Sequence, residues 1–144
     1  MIMDDHPRAL DWHDLSVGMA VRLDFAVTPD DMVAFAALSG DRNPLHLDAA
    51  FARGKGFDGV VVYGGMIVAK ISQLIGMRLP GRDAVWMGLR LQFSKPLYVG
   101  QPAQVEGTIT NLSAATRVVS LEIRIHSAGH LLATGAAEAL LVQP

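Results

Sequence analysis

The chain has 144 residues, a length typical of one domain with a buried core, and we expect a single domain over residues 1–144. Its residues are 51% hydrophobic and 18% charged, as in an ordinary folded protein, and the formal net charge of −2 excludes a strong field for holding nucleic acid or an anionic membrane. With no cysteine, the chain has no disulfide framework and no thiol nucleophile.

Residues 1–14 are polar and predict a loose N-terminal lead-in. They lack the basic and then apolar segments of a secretory signal. No apolar run in the chain approaches the roughly 18 residues that span a bilayer. We therefore expect a cytoplasmic protein with neither a membrane nor a nucleic acid as its partner.

The first regular elements are a strand and a capped helix. Residues 22–28 alternate apolar and more polar side chains, which predicts a half-buried strand. Thr28 can then cap a helix, and Pro29 suits the first helical position. The helix is predicted to end at Ser39-Gly40, because glycine commonly terminates helices.

The stretch Ser39–Asp48 follows this helix and carries two residues able to move protons, Asp41 and His46. Pro44 fixes its own φ at about −65°, and Asn43 can fold its side chain back onto the local backbone. An acid and a base on a stiff loop indicate catalysis, since catalytic groups are commonly carried by loops. The alternative is plain turn chemistry with His46 packed beneath it.

A second helix, Met66 to Ile75, follows Gly64-Gly65 and is apolar nearly all round. Such a helix is buried in a folded protein. The glycines would let a ligand approach the backbone at the helix start, where N–H groups are unpaired. Close packing of the helix start against a strand is the other explanation.

From Ala84 onward the hydrophobic period changes to two, which predicts strands. The first of these should place Val85, Met87, Leu89, Leu91 and Phe93 on one face. Short turns make successive strands antiparallel neighbours. We predict an α+β fold in which an antiparallel sheet of about five strands wraps around the buried helix, with its later strands near residues 84–94, 103–109, 119–125 and 131–142.

The motif Ser-Gly-Asp-x-Asn-Pro-Leu-His at residues 39–46, set between a short helix and a buried one, resembles the MaoC-like hydratases. Their best-characterised members are (R)-specific enoyl-CoA hydratases. The resemblance runs from about Leu15 to the C-terminus and includes residues 95–100. It implies a single MaoC-like domain with the hot-dog fold, a sheet wrapped around a long central helix, and a homodimer.

The resemblance also implies the roles of individual residues. Asp41 and His46 would activate one water for addition across the enoyl double bond. The backbone N–H of Gly64, or of Gly65 beside it, would polarise the thioester carbonyl. Neither a cofactor nor a metal is expected, because CoA enters as part of the substrate and no histidine pair has zinc-site spacing.

Three further residues belong to this set. Asn43 and Ser72 match positions that support the loop. Tyr63 stands where the family usually has histidine, and Gly65 where a larger residue is more usual. Tyr63 is either a packing residue with its hydroxyl satisfied near the site or part of the substrate pocket, where it would narrow the acyl chain's space.

The sequence thus predicts (R)-specific hydration of trans-2-enoyl-CoA to (R)-3-hydroxyacyl-CoA, or the reverse dehydration. One alternative is a hot-dog thioesterase, although thioesterases generally lack the Asp-x-Asn-Pro-x-His spacing. Another is a non-catalytic subunit that binds acyl thioesters, a hypothesis that the altered Tyr63 leaves open. The acyl length, and CoA versus acyl carrier protein as the carrier, are not fixed by the sequence.

Overall fold

Five antiparallel strands form one sheet in the order β1-β3-β4-β5-β2. The computed structural model describes residues 5–143 of the chain. The strand count and the antiparallel pairing agree with the prediction from the sequence. The strands are β1 (Ala20–Phe25), β2 (Ala84–Phe93), β3 (Ala103–Ser113), β4 (Val118–Ser127) and β5 (His130–Leu141).

Three α-helices accompany the sheet: α1 (Pro29–Ser39), α2 (Ala49–Gly54) and α3 (Gly64–Met77). Short 3-10 turns lie at Trp12–Asp14 and Pro44–His46. Within residues 5–143, none of the helices combines the length and apolar character needed to cross a bilayer.

The core lies between α3 and the sheet. The helix buries Ile67, Ile71, Leu74 and Ile75 on its sheet side. It approaches the strand backbone closely at Gly107, where an added Cβ would stand 2.7 Å from a methyl group of Leu74. The prediction of a buried helix holds for this sheet side, whereas the outer face of α3 is open in the single chain, with Ala69, Ser72 and Gln73 exposed.

Strand β2 does not present the face that its sequence predicts. Met87 is an extra residue between Trp86, which pairs with Ala139, and Gly88, which pairs with Glu138. This bulge reverses the alternation, because one added residue turns the following side chains to the opposite face. Trp86 therefore packs against the core, as Leu89 and Leu91 do after the bulge, whereas Val85 and Met87 are 52% and 57% exposed.

The segment 8–14 is bound to the body of the domain, so the expectation of a loose lead-in is not met there. The Arg8 N–H donates to the Met77 carbonyl at 3.0 Å, at the end of α3. The Gln143 side chain bonds the backbone of Leu10 and of Trp12. Residues 1–4, which belong to the same prediction, lie outside the described part of the chain.

Helix α1 begins and ends as predicted. Thr28 Oγ1 accepts the Asp31 N–H at 3.1 Å, and Asp31 Oδ2 accepts the Thr28 N–H at 2.9 Å. The backbone hydrogen bond lowers the pKa of the Asp31 carboxyl, so its stabilising contribution is present above the ordinary value of 3.8 and is lost as pH falls. Gly40, with φ at 74°, ends the helix in the left-handed region.

Replacing Thr28 with alanine should lower the free energy of unfolding by about 1 kcal/mol, because the cap loses its side-chain acceptor. Urea denaturation of the two proteins measures the difference. Thr28→Ser keeps the oxygen and should stay within a few tenths of a kcal/mol of the parent. Equal losses in both variants would show that the cap does not stabilise α1.

Candidate active site

The loop between α1 and α2 is stiffened by its own side chains. The Ser39 hydroxyl donates to the Phe35 carbonyl at 2.7 Å and accepts the Asp41 N–H at 3.0 Å. Asp41 Oδ1 accepts the Asn43 N–H, and Asn43 Oδ1 accepts the Leu45 N–H, each at 3.0 Å. Each of these short side chains thus bonds the amide two residues later, as turn-forming residues do. The chain from Ser39 to Leu45 is one connected set of hydrogen bonds.

His46 lies in the 3-10 turn at the end of this loop and is half-buried. Its Nδ1 stands 2.6 Å from the Val61 carbonyl oxygen. Because a carbonyl only accepts, Nδ1 must carry the hydrogen, and Nε2 of the neutral ring then has a free lone pair. The Val61 N–H in turn donates to the Leu45 carbonyl at 3.2 Å. The first contact leaves Nε2 as the proton acceptor, and the second holds Val61 against the loop.

Helix α3 starts beside this imidazole. Tyr63 is its N-cap residue but gives the helix no side-chain cap, and Gly64 is the first helical residue. The N–H groups of a first helical turn have no partner within the helix and lie at the positive end of its dipole. Gly64 therefore offers an N–H donor suited to an oxygen that gains negative charge.

A pocket of about 310 Å³ has both His46 and Gly64 in its wall. Its other walls are largely apolar, with Phe57, Ile67, Phe93 and Leu97 from four segments, and Lys95 adds a cation. Pockets of this kind, mostly apolar with a few polar groups, suit small-molecule ligands. The structure thus joins a proton acceptor and a helix N-terminus at one apolar pocket.

The Asp41 side chain lies outside this pocket in the single chain. Asp41 is exposed, and its carboxylate faces the loop through the hydrogen bond from Asn43. Its main chain is nevertheless tied to the site, because the Tyr63 hydroxyl donates to the Asp41 carbonyl oxygen at 2.6 Å.

Tyr63 lies beside His46 and is not among the residues that line the pocket. It is 1% exposed, and its ring stacks on the His46 imidazole with centroids 4.2 Å apart. The hydroxyl is occupied by Asp41, so the packing alternative describes Tyr63 better. Burial raises the pKa of the Tyr63 hydroxyl, and the Asp41 carboxylate raises it further.

The structure does not place Ser72 and Gly65 as the sequence suggested. Ser72 is exposed and has no side-chain hydrogen bond within the described part of the chain. It lies about 12 Å along α3 from Gly64, which separates it from the loop. Gly65 faces Phe35, and it is Gly64 that lines the pocket.

Sequence reasoning missed Ser39 as a support of the loop. The signal was present, because a serine two residues before Asp41 can bond its amide just as Asn43 bonds that of Leu45. The pocket walls at Phe57, Phe93 and Lys95 left no comparable signal, since tertiary packing brings them together.

A protein-family model, the MaoC like domain, matches residues 15–129. The chain belongs to this family. The (R)-specific enoyl-CoA hydratase of Aeromonas caviae is 39% identical over 119 residues, which cover 83% of this chain and 89% of the relative. A 3-hydroxybutyryl-CoA dehydratase of Methylorubrum extorquens is 35% identical over 105 residues, covering 73% of this chain and 67% of the relative.

Among solved structures, an (R)-hydratase from A. caviae involved in PHA biosynthesis superimposes on this MaoC-like chain with a TM-score of 0.85. The identity is 37%, and the match covers 89% of this chain and 98% of that one. The hot-dog fold predicted from the sequence is thereby confirmed. Within residues 5–143, no group of three or more His, Asp or Glu side chains is arranged to hold a metal ion.

Nitrogen-15 NMR of the histidine rings should show His46 as the Nδ1–H tautomer at a pH where it is neutral, because Val61 accepts from that nitrogen. His130, which is exposed, serves as the control and should show a mixture of the Nδ1–H and Nε2–H tautomers. An Nε2–H tautomer at His46 would contradict the hydrogen bond to Val61.

Proposed function

We propose that this MaoC-like chain catalyses the (R)-specific hydration of trans-2-enoyl thioesters to (R)-3-hydroxyacyl thioesters, and the reverse dehydration. The observation that carries the proposal is the pocket lined by both His46, whose Nδ1 is bound to Val61, and Gly64, the first residue of α3. The similarity to an (R)-specific enoyl-CoA hydratase at 39% identity supports the same reaction.

The first step is the attack of water on C3 of the enoyl thioester. His46 Nε2 accepts one water proton. In the proposed assembled site, the Asp41 carboxylate, which is exposed in the single chain, accepts a hydrogen bond from the same water and orients it. The new C3–O bond forms as the C2=C3 π electrons move toward the thioester oxygen. A positioned acid or base of this kind contributes roughly 10²–10⁴-fold to the rate.

The second step is the protonation of C2. The enolate oxygen is held by the Gly64 N–H, and one such donor is worth about 3 kcal/mol in related oxyanion sites. The His46 imidazolium returns its proton to C2, which restores the neutral ring and completes the addition of one water. Dehydration follows the same path backward.

The acyl group is carried as a thioester, either of CoA or of acyl carrier protein. The proposed reaction needs no cofactor, because CoA enters as part of the substrate. A cytoplasmic location stays a prediction from the sequence.

The proposed active form is a homodimer joined through the edge of β2. Within residues 5–143, this strand pairs with β5 alone, and its ten residues carry exposed apolar side chains at Val85, Met87 and Phe93. Native proteins rarely leave a long apolar edge uncovered. Phe93 also lines the pocket, so pairing along this edge would bring the second subunit next to the pocket.

Wild-type protein should remove the enoyl-thioester absorbance of crotonyl-CoA and yield the (R) product. Asp41→Asn and His46→Gln should each lower kcat by roughly 10²–10⁴-fold, since each removes one of the two groups that bind the water. A stopped assay with chiral analysis of the product measures both the rate and the configuration.

Matched controls are Asp24→Asn and His130→Gln, which make the same chemical changes at exposed positions and should keep full activity. Full activity in both site variants would overturn the proposed mechanism. Release of free thiol without loss of the double bond would identify a thioesterase. Tight acyl-CoA binding without turnover across chain lengths would identify a binding subunit.

Light scattering of the wild-type protein should give the mass of a dimer. Met87→Lys should shift the mass toward the monomer and lower the activity, because it places a charge on the proposed edge. Leu38→Lys, on the exposed side of α1, should leave the dimer intact. A monomeric wild type that is fully active would contradict the proposed assembly.

A further inference from the structure

We propose that Tyr63 is a positioning residue for both halves of the active-site loop, holding the Asp41 main chain with its hydroxyl and the His46 imidazole with its ring. The inference rests on the proposed function only for its activity readout. The geometry that supports it is independent of the reaction.

The hydroxyl is the anchor of the Asp41 half of the loop. The side-chain hydrogen bonds of Ser39, Asp41 and Asn43 all stay within residues 35–45, so they stiffen the loop and join it to the end of α1 alone. Among the described residues, the bond from Tyr63 to the Asp41 carbonyl is the hydrogen bond that joins Asp41–Asn43 to a part of the domain beyond α1 and the loop itself. The other half has its own anchor, since Val61 bonds both Leu45 and His46.

The ring is the anchor of the His46 plane. Tyr63 and His46 are stacked at an interplanar angle of 29° with centroids 4.2 Å apart. Phe35 of α1 packs on Tyr63, with centroids 4.7 Å apart and a tilt of 44°. Tyr63 thus lies at the start of α3 and in the middle of a row of three rings, Phe35, Tyr63 and His46. Through these contacts, α1 and α3 together position the imidazole.

Gly65 is the residue that makes room for this row. A Cβ added at Gly65 would lie 2.5 Å from Phe35 Cζ, closer than real carbon atoms approach. Phe35 would therefore have to shift, and its packing on the Tyr63 ring would change. The glycine at position 65 and the aromatic residues at positions 35 and 63 therefore form one interdependent set.

The charge state of the hydroxyl suits this role. Burial raises the pKa of Tyr63 above the ordinary 10.0, so the hydroxyl remains a donor throughout the neutral and mildly alkaline range. Because the pKa is raised on folding, the contribution of the neutral Tyr63 hydroxyl to the free energy of unfolding is complete below pH 10. It is lost as pH rises through the pKa of Tyr63 in the folded state.

The first test compares Tyr63→Phe with Tyr98→Phe, the other tyrosine of the chain. Each variant removes one hydroxyl that bonds a backbone group, since the Tyr98 hydroxyl accepts the Asp58 N–H at 3.1 Å. Tyr63→Phe should lower kcat by about tenfold while KM changes less than about twofold, the loss expected for one hydrogen bond that positions a reacting group. Tyr98→Phe should keep the wild-type kcat despite a similar loss of stability.

The second test uses the Gly65 set. Gly65→Ala should lower kcat even though the hydroxyls of Ser39 and Tyr63 are unchanged. Gly76→Ala lies in the same helix with open space around the added Cβ, and it should keep the wild-type kcat. Phe35→Leu combined with Gly65→Ala should lose less than the sum of the two single variants, because the clash is relieved. Additive losses would show that Gly65 and Phe35 act separately.

A third readout does not depend on catalysis. Backbone nitrogen-15 order parameters for residues 41–46 should fall in Tyr63→Phe and stay at the wild-type level in Tyr98→Phe. The fall in stability above pH 10 should also be smaller in Tyr63→Phe than in Tyr98→Phe.

These readouts separate the two proposals. If the wild type shows no hydration but the loop loosens only in Tyr63→Phe, then the proposed function fails and the positioning role stands. If Tyr63→Phe has wild-type kcat and an unchanged loop, then the positioning role is overturned, whatever the activity of the parent. An equal loss of kcat in both tyrosine variants also overturns it, because the effect would then be one of stability alone.

Discussion

The hydrogen bond from His46 Nδ1 to the Val61 carbonyl is the contact on which the site depends. It selects the tautomer that leaves Nε2 free, and it ties the active-site loop to the segment that leads into α3. That segment is itself held from the other side, since the Val62 N–H donates to the Leu97 carbonyl at 2.8 Å. The imidazole, the start of the helix and the chain after β2 are thus fixed relative to one another by backbone groups, which side-chain substitutions elsewhere leave in place.

The surroundings of this contact explain how a polar site persists beside an apolar core. The loop satisfies its own amides through Ser39, Asp41 and Asn43, so it needs few partners from the domain. The buried Tyr63 hydroxyl donates its hydrogen bond to the loop, at the Asp41 carbonyl. Its position as N-cap leaves the first N–H groups of α3 uncapped by that side chain, and Gly64 can then present its amide to the pocket. A tyrosine at this position is therefore compatible with the chemistry proposed here.

The sheet adds a second constraint through its edge. The bulge at Met87 turns Val85 and Met87 to the open face and leaves Phe93 at the boundary between the edge of β2 and the pocket. The proposed dimer edge and the pocket thus share one strand.

The sequence by itself determined the elements and the motif. The caps of α1, the period of two in the later strands and the turn-forming Asp-x-Asn-Pro segment are local signals, because each rests on residues a few positions apart. Only the tertiary structure decided which groups meet. It placed His46 against Val61, turned Tyr63 away from the pocket, left Ser72 exposed and reversed one face of β2, because hydrogen bonds across 15 or more residues and a single inserted residue are not encoded in any local pattern.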